Sequence, residues 1–202
     1  MSYSDFSLED IKERFNLHLH EREDLYSSIP PVEISALLRE TLAESVPLAL
    51  AISTEKARSE LITVPVLLEV RRQVKHPISL FSGVDFTVDA EQGLRGVCDY
   101  LLSRSPEQLT IEAPVVAVVE AKNENMKAGI GQCLAEMVAV RLFNQRKKRE
   151  QPAVYGAVTT GNNWKFLRLV DDTANVDLAE YHIKEVGRIV AILLAMLQGT
   201  LV

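Results

Sequence analysis

The stretch APVVAVVEAK, residues 113–122, decides the fold of this chain. After Pro114 it runs five apolar residues without alternation, which is typical of a strand buried on both faces of a sheet. The run then ends in Glu120, Ala121 and Lys122. Alternate side chains of a strand share a face, so Glu120 and Lys122 point to one side and Ala121 to the other. A carboxylate and an ammonium at the end of a buried strand need partners or a chemical role.

Further strands and helices are predicted on both sides of this strand. Alternating apolar residues favour strands, whereas apolar residues spaced three and four apart favour helices. In chain order the predicted elements are helices over 34–45 and 54–73, a hairpin of strands 79–89 and 94–102, the strand within 113–122, a helix over 129–148, a hairpin of strands 153–160 and 164–170, and a helix over 182–198. Pro65 should kink or split the second helix. This order indicates an α/β or α+β fold, a central mixed sheet flanked by helices.

The chain is expected to form one compact domain overall. Residues 1–53 are predicted to be a helical extension packed on the core, and residues 54–202 to be the domain that carries the site. His18 and His20 alternate with leucines and could share one face of a strand. A metal site there is an alternative, but no nearby residue completes it.

Composition places the chain among folded globular proteins, with 47% hydrophobic and 25% charged residues. The 22 Lys and Arg against 28 Asp and Glu give a net charge of −6, which argues against a protein that binds nucleic acid through its overall charge. A local basic patch stays open as an alternative. The basic run at 146–149 is either a contact for a phosphate backbone or a solvated helix end.

Cysteine usage and apolar stretches indicate the compartment. Cys98 and Cys133 belong to no Cys-x-x-Cys pair and are expected to be buried reduced thiols. The chain does not start with a basic segment followed by an apolar run, and its longest apolar stretches, 46–52 and 189–197, fall short of the ~20 residues of a membrane span. A cytoplasmic protein without a membrane span is therefore expected.

Asp99 is the acidic residue expected to join the polar end of the central strand. It lies in GVCDYLL, residues 96–102, a predicted strand that we expect beside 113–122 in the sheet. The carboxylates of Asp99 and Glu120 would then suit Mg²⁺ or Mn²⁺, with coordination positions left for water and a substrate phosphate. Lys122 would orient the metal-bound water and offset charge in the transition state. Hydrolysis of a phosphodiester bond is the chemistry that this set favours.

This pattern resembles the PD-(D/E)XK nuclease superfamily. The resemblance rests on Asp99, on Glu120-x-Lys122 at the end of a central apolar strand, and on Gln132 in the helix that follows, and it covers residues 54–170. It implies a restriction-endonuclease-like core and a metal-dependent nuclease that uses Mg²⁺, with Mn²⁺ as a substitute.

The resemblance also implies further members of the site. The Ala121 carbonyl would join the two carboxylates as a metal ligand, and Gln132 would contact the metal-bound water, a neighbouring side chain or the phosphate. An acidic residue on the helix before the first core strand often completes such sites, and Glu60 is the best placed here. Glu55 and Glu69 are weaker alternatives. The implied partner is nucleic acid, with DNA favoured over RNA, and a homodimer is compatible with cutting two strands.

Other interpretations stand beside the enzyme. The polar cluster can belong to a catalytically inactive module of the same fold that binds nucleic acid or mediates protein assembly. Glu120 and Lys122 can be a salt bridge on a solvated sheet rim. The apolar run at 189–197 can form a dimer seam or be buried within the chain, and Trp164 can stack on a base or pack in the core.

Overall fold

The computed structural model describes residues 1–201, and within them a mixed sheet of eight strands forms the centre. The strands are β1 His18–His20, β2 Ser79–Asp85, β3 Val97–Ser103, β4 Val115–Ala121, β5 Val154–Thr159, β6 Asn163–Val170, β7 Thr173–Val176 and β8 Tyr181–His182. Their order across the sheet is β1-β7-β6-β5-β4-β3-β2, and β8 pairs with β6. The predicted mixed sheet is confirmed.

Helices cover both faces of the sheet. They are α1 Leu8–Phe15, α2 Ala36–Ile52, α3 Glu55–Arg58, α4 Val64–Gln73, α5 Met126–Arg146 and α6 Val186–Gln198. One apolar core joins the sheet to α2, α4 and α6, and a second core on the other face joins it to α1 and α5. The fold class predicted from the sequence, an α/β arrangement of a sheet flanked by helices, is therefore confirmed.

The central position of β4 follows from its apolar sequence. Every residue of β4 is buried. It pairs antiparallel with β3 on one side and parallel with β5 on the other. Val118 packs in the core beneath α5, whereas Val119 packs in the core beneath α4 and α6. Because both faces are covered, the strand has no solvated face and no need for polar alternation.

Pro65 splits the helix predicted over 54–73, as expected. A π-helical turn, Ser59–Thr63, separates α3 from α4, and Pro65 stands in the first turn of α4. Proline has no N–H, so it cannot donate to the carbonyl of Leu61 four residues earlier. The hydroxyl of Ser45 donates to that carbonyl instead, at 2.6 Å. The carbonyl freed by Pro65 thus has a hydrogen-bond donor from α2.

The structure differs from the prediction in several elements. Residues 1–53 are not only helical, because His18–His20 forms β1 at the edge of the sheet, parallel to β7. The helix predicted over 34–45 continues to Ile52 as α2. Strands β7 and β8 were not predicted. The helix predicted from residue 129 begins at Met126, because Asn125 caps it by accepting a hydrogen bond from the N–H of Ala128.

Several open alternatives are decided by burial. Trp164 is fully buried and donates from Nε1 to the Gly161 carbonyl, so it packs in the core and is not available to stack on a base. Cys98 and Cys133 are free and buried, as predicted. The apolar residues of α6 pack in the core of this chain. Within residues 1–201, no helix has both the length and the apolar character needed to cross a membrane.

Glu69 links α4 to the start of α2 and gives a testable pH effect. Burial disfavours its charge, but hydrogen bonds from Ser35, Arg72 and Gln73 outweigh burial and lower the pKa of Glu69 to about 2. A lowered carboxyl pKa stabilises the fold above the unfolded-state value of about 4.3, and this stabilisation is lost as pH falls towards 2. We expect Glu69→Gln to reduce the free energy of unfolding at pH 7 by about 2 kcal/mol.

The measurement is urea denaturation of both proteins between pH 7 and pH 2.5. The difference in the free energy of unfolding between the two proteins should become smaller as the pH falls below about 4.3. If the difference in the free energy of unfolding stays constant over that range, the charge of Glu69 does not stabilise the contact between α4 and α2.

Candidate active site

The site begins with an ion pair at the end of β4. The Lys122 Nζ lies 2.5 Å from the Glu120 Oε1. The Glu120 side chain is 1% exposed and that of Lys122 is 22% exposed. The sequence predicts that these residues share one face, and in the structure their side chains do meet. The ion pair therefore joins a buried carboxylate to an ammonium that is partly exposed to solvent.

Gly129 allows α5 to approach this ion pair closely. A Cβ atom at Gly129 would lie 2.6 Å from Val158 Cγ1 and 3.0 Å from Lys122 Cγ. The first distance is too short for two carbon atoms, so a larger residue would push α5 away from β4 and β5. The glycine therefore seats the stem of Lys122 against the first turns of α5.

Asp99 is fixed beside the end of β4 by its side chain. The pairing of β3 with β4 stops at Tyr100 and Val119. Beyond it, the Ala121 N–H donates to the Asp99 Oδ2 at 2.8 Å, so a carboxylate continues the pairing where the backbone ladder ends. The N–H of Ala121 thus faces β3 and Asp99. This bond fixes Asp99 close enough to Glu120 for the two charges to interact.

Gln132 and Glu136 complete the buried side of the cluster. The Lys122 Nζ donates to the Gln132 Oε1 at 3.0 Å, and the Gln132 Nε2 donates to the Glu136 Oε1 at 3.1 Å. Glu136 is completely buried in α5 and also contacts the carboxyl group of Glu120. Sequence reasoning did not include Glu136 in the site. The available signal was its position one helical turn after Gln132, on the same face.

Burial sets the charges in this cluster. Burial, and then the charge of Asp99, raise the pKa of Glu120 to about 7, against the opposing effect of Lys122. Burial, and then the charge of Glu120, raise the pKa of Glu136 well above its ordinary value. Burial opposes the charge of Lys122, but Glu120 outweighs it and raises the pKa of Lys122. Burial and its neighbouring carboxylates thus favour the neutral form of Glu136, whereas Glu120 favours the charged form of Lys122.

A pocket of about 270 Å³ opens in front of Asp99. Tyr100 and Ala121 line it, together with Glu55 of α3 and Glu60 of the π-helical turn. Glu60 pairs with Lys56 at 2.7 Å and is 58% exposed. Glu55 accepts a hydrogen bond from the Asn123 N–H at 3.1 Å, which ties it to the residues just after β4.

The structure thus sorts the three acidic residues named from the sequence. Glu60 and Glu55 both line the pocket that contains Asp99. Glu69 does not, because its carboxylate is bonded to Ser35 at the start of α2. The alternative that placed Glu69 in the site is wrong.

The residues present fit a hard divalent cation such as Mg²⁺. The donors at the end of β4 are oxygens, from the carboxylates of Asp99 and Glu120 and the carbonyl of Ala121, and oxygen is what Mg²⁺ and Mn²⁺ prefer. The Glu120 Oε2 is buried without a nitrogen or hydroxyl donor. Within residues 1–201 no three His, Cys, Asp or Glu side chains converge as a metal-binding group. An ion held here by Asp99, Glu120 and one carbonyl would take its remaining ligands from water or phosphate.

The basic run at 146–149 lies at the other end of α5 from Gln132. At 1.5 Å per residue, Gln132 and Arg146 are about 20 Å apart along the helix. Arg146 donates to the Val88 carbonyl and pairs with Asp89 at 3.1 Å. A phosphate backbone in the pocket would have to extend that distance to reach the run.

Comparisons of the chain with protein-family models, curated proteins and solved structures found no match.

Proposed function

We propose that this chain is a metal-dependent nuclease that hydrolyses phosphodiester bonds of nucleic acid, as its resemblance to the PD-(D/E)XK superfamily implies. The observation that supports this best is the meeting of Asp99, Glu120 and Lys122 at one strand end, next to an open pocket. The two carboxylates lie on adjacent strands and the lysine directly follows the second of them; Glu120 is buried, whereas Asp99 and Lys122 are half-buried. DNA is favoured over RNA as the substrate.

Asp99, Glu120 and the Ala121 carbonyl would hold Mg²⁺. When bound, the ion would act as a Lewis acid on the phosphate and lower the pKa of a bound water. Asp99 faces the pocket while Glu120 lies behind it, so Asp99 is the carboxylate nearer to solvent. The Ala121 N–H fixes the Asp99 carboxylate in place, so it is oriented before any ligand arrives.

Lys122 would position the attacking water and offset negative charge on the phosphate. Its ammonium is held by Glu120 and Gln132, and its partial exposure leaves it within reach of solvent. An ammonium has three donors, so one N–H remains for water or phosphate after these two bonds. An oriented donor of this kind stabilises developing charge without reorganising in the transition state.

The charges around the pocket make substrate binding depend on the cation. Glu55, Glu60 and Asp99 surround an opening that also contains Lys56. Carboxylates repel a phosphodiester, so a divalent ion at Asp99 would invert the local sign of the potential. We infer that nucleic acid binds this face only with the metal in place.

One observation favours the inactive module as a second candidate. The ion pair of Lys122 with Glu120 and its bond to Gln132 satisfy the lysine in part without any ligand. A module of this kind would bind nucleic acid or a protein without cleaving it. The two candidates differ in whether Asp99 and Glu120 bind a cation together.

The test is cleavage of end-labelled single-stranded and duplex DNA and RNA with Mg²⁺ or Mn²⁺, and with EDTA as the control. We expect cleavage with either metal and none with EDTA. Parallel titration with Mn²⁺, followed by the EPR signal of the free ion, gives the metal affinity without any choice of substrate. Absence of both cleavage and Mn²⁺ binding would favour the inactive module.

A further inference from the structure

Glu136 is the completely buried acidic side chain in this cluster whose role the proposed function leaves unexplained. A buried carboxyl group is costly unless its hydrogen bonds are made. The Oε1 accepts from Gln132 at 3.1 Å, and the group also contacts the Glu120 carboxyl. Glu136 therefore touches two of the side chains that surround Lys122, although it does not contact Lys122 through a hydrogen bond of its own.

The Gln132 amide is held on both sides, by Lys122 and by Glu136. An amide presents an acceptor on one side and a donor on the other. Here the Oε1 accepts from the Lys122 ammonium and the Nε2 donates to Glu136. If Glu136 were apolar, the amide would lose the acceptor that holds its Nε2. The amide would then be anchored only by its bond to the ammonium, so Gln132 would hold Lys122 less firmly in place.

We propose that Glu136 is a positioning residue that holds Lys122 in place through the amide of Gln132. This inference rests on the proposed function, because it assigns Glu136 to the support of the lysine that would orient the water. Glu136 itself is too deep to touch a substrate. It acts through one amide, which it anchors on the side opposite to Lys122.

Two variants of Glu136 separate positioning from general stability. Glu136→Met fills the space but offers no acceptor to Gln132, and we expect kcat to fall by about 10–100-fold with KM little changed. Glu136→Gln keeps an acceptor oxygen and should recover most of the loss. The melting temperature of Glu136→Met should change little, because removal of the cost of burying a carboxyl group offsets the loss of the acceptor for the Gln132 Nε2.

Asn144 provides the matched control on the same helix. It is also buried, but it bonds to the N–H and carbonyl of Val115 at the start of β4, away from the site. Asn144→Leu should lower the melting temperature by leaving these backbone groups unpaired, while kcat of the folded protein stays the same. Glu136→Met should therefore lower kcat with little change in the melting temperature, whereas Asn144→Leu should lower the melting temperature with no change in kcat.

NMR of the Gln132 side-chain amide tests the inference without any activity. We expect its Nε2 protons to exchange slowly in the starting protein and in Glu136→Gln, and at least about tenfold faster in Glu136→Met, because the hydrogen bond is lost. Unchanged exchange in Glu136→Met would overturn the inference even if the metal binds. Failure of the starting protein to bind Mn²⁺ would instead overturn the proposed function and leave the exchange result to decide the role of Glu136.

Discussion

Lys122→Met lowers nucleolytic turnover by about 10³-fold while Mn²⁺ still binds, if the lysine has the role proposed for it. Methionine keeps the stem that packs against Gly129 but removes the ammonium. The charge of Lys122 lowers the pKa of Glu120, so its loss raises that pKa further. Metal affinity is therefore compared at about pH 8.5, above the value of about 7 for Glu120, where the carboxyl of the starting protein is ionised.

Lys165→Met is the control for this variant. Lys165 is 16% exposed, close to the exposure of Lys122, and donates to the Leu178 carbonyl at 3.0 Å with Glu180 nearby. Its loss should leave turnover unchanged. Equal loss of turnover and metal binding in Lys122→Met, or loss of neither, would contradict the role of Lys122 in orienting the water.

Asp99→Asn removes both the metal and the activity but keeps the fold. Asparagine retains an oxygen that accepts from the Ala121 N–H, so the local backbone contact survives. Removal of a residue that only supports a metal ligand lowers metal affinity by about 10–100-fold. Asp99→Asn should lower the Mn²⁺ affinity by more than this, because it removes a ligand itself. The melting temperature should not fall, because the repulsion between Asp99 and the buried Glu120 is relieved.

The same variant gives a second readout at Glu120. Asp99 raises the pKa of Glu120, so Asp99→Asn should lower it, as followed by the ¹³C shift of the Glu120 carboxyl. Asp177→Asn is the control, since Asp177 is a buried aspartate that accepts from the Leu25 N–H and from Tyr181. Unchanged Mn²⁺ affinity in Asp99→Asn would show that Asp99 is not a ligand.

Much of the candidate site could be predicted because its residues lie on elements that follow one another in the chain and are neighbours in the sheet. The apolar run in β4 identifies a central strand, and the preceding strand β3 lies next to it. Asp99 and Glu120 thus come together through one antiparallel pairing. Gln132 follows because α5 returns directly over β4, as the element after a buried strand commonly does.

The rest depends on tertiary packing that periodicity does not encode. The π turn changes the phase of the helix that carries Glu55 and Glu60, so a 3.6-residue period cannot show which of them faces Asp99. Glu136 is buried where α5 packs closely on the sheet, with Gly156 of β5 against Cys133 and Met137 of α5. Strands β7 and β8 are four and two residues long, too short to give a periodic signal.

Crystals soaked in Mn²⁺, with an anomalous difference map, test the central claim most directly. The account predicts a peak at oxygen-ligand distance from Asp99, Glu120 and the Ala121 carbonyl, about 2.0–2.3 Å as for small divalent ions. The crystals are held at about pH 8.5, well above the pKa of about 7 for Glu120, so that most of this carboxyl is ionised. A well-ordered site with Glu120 still paired to Lys122 and no peak would contradict the metal-dependent nuclease and favour a binding module.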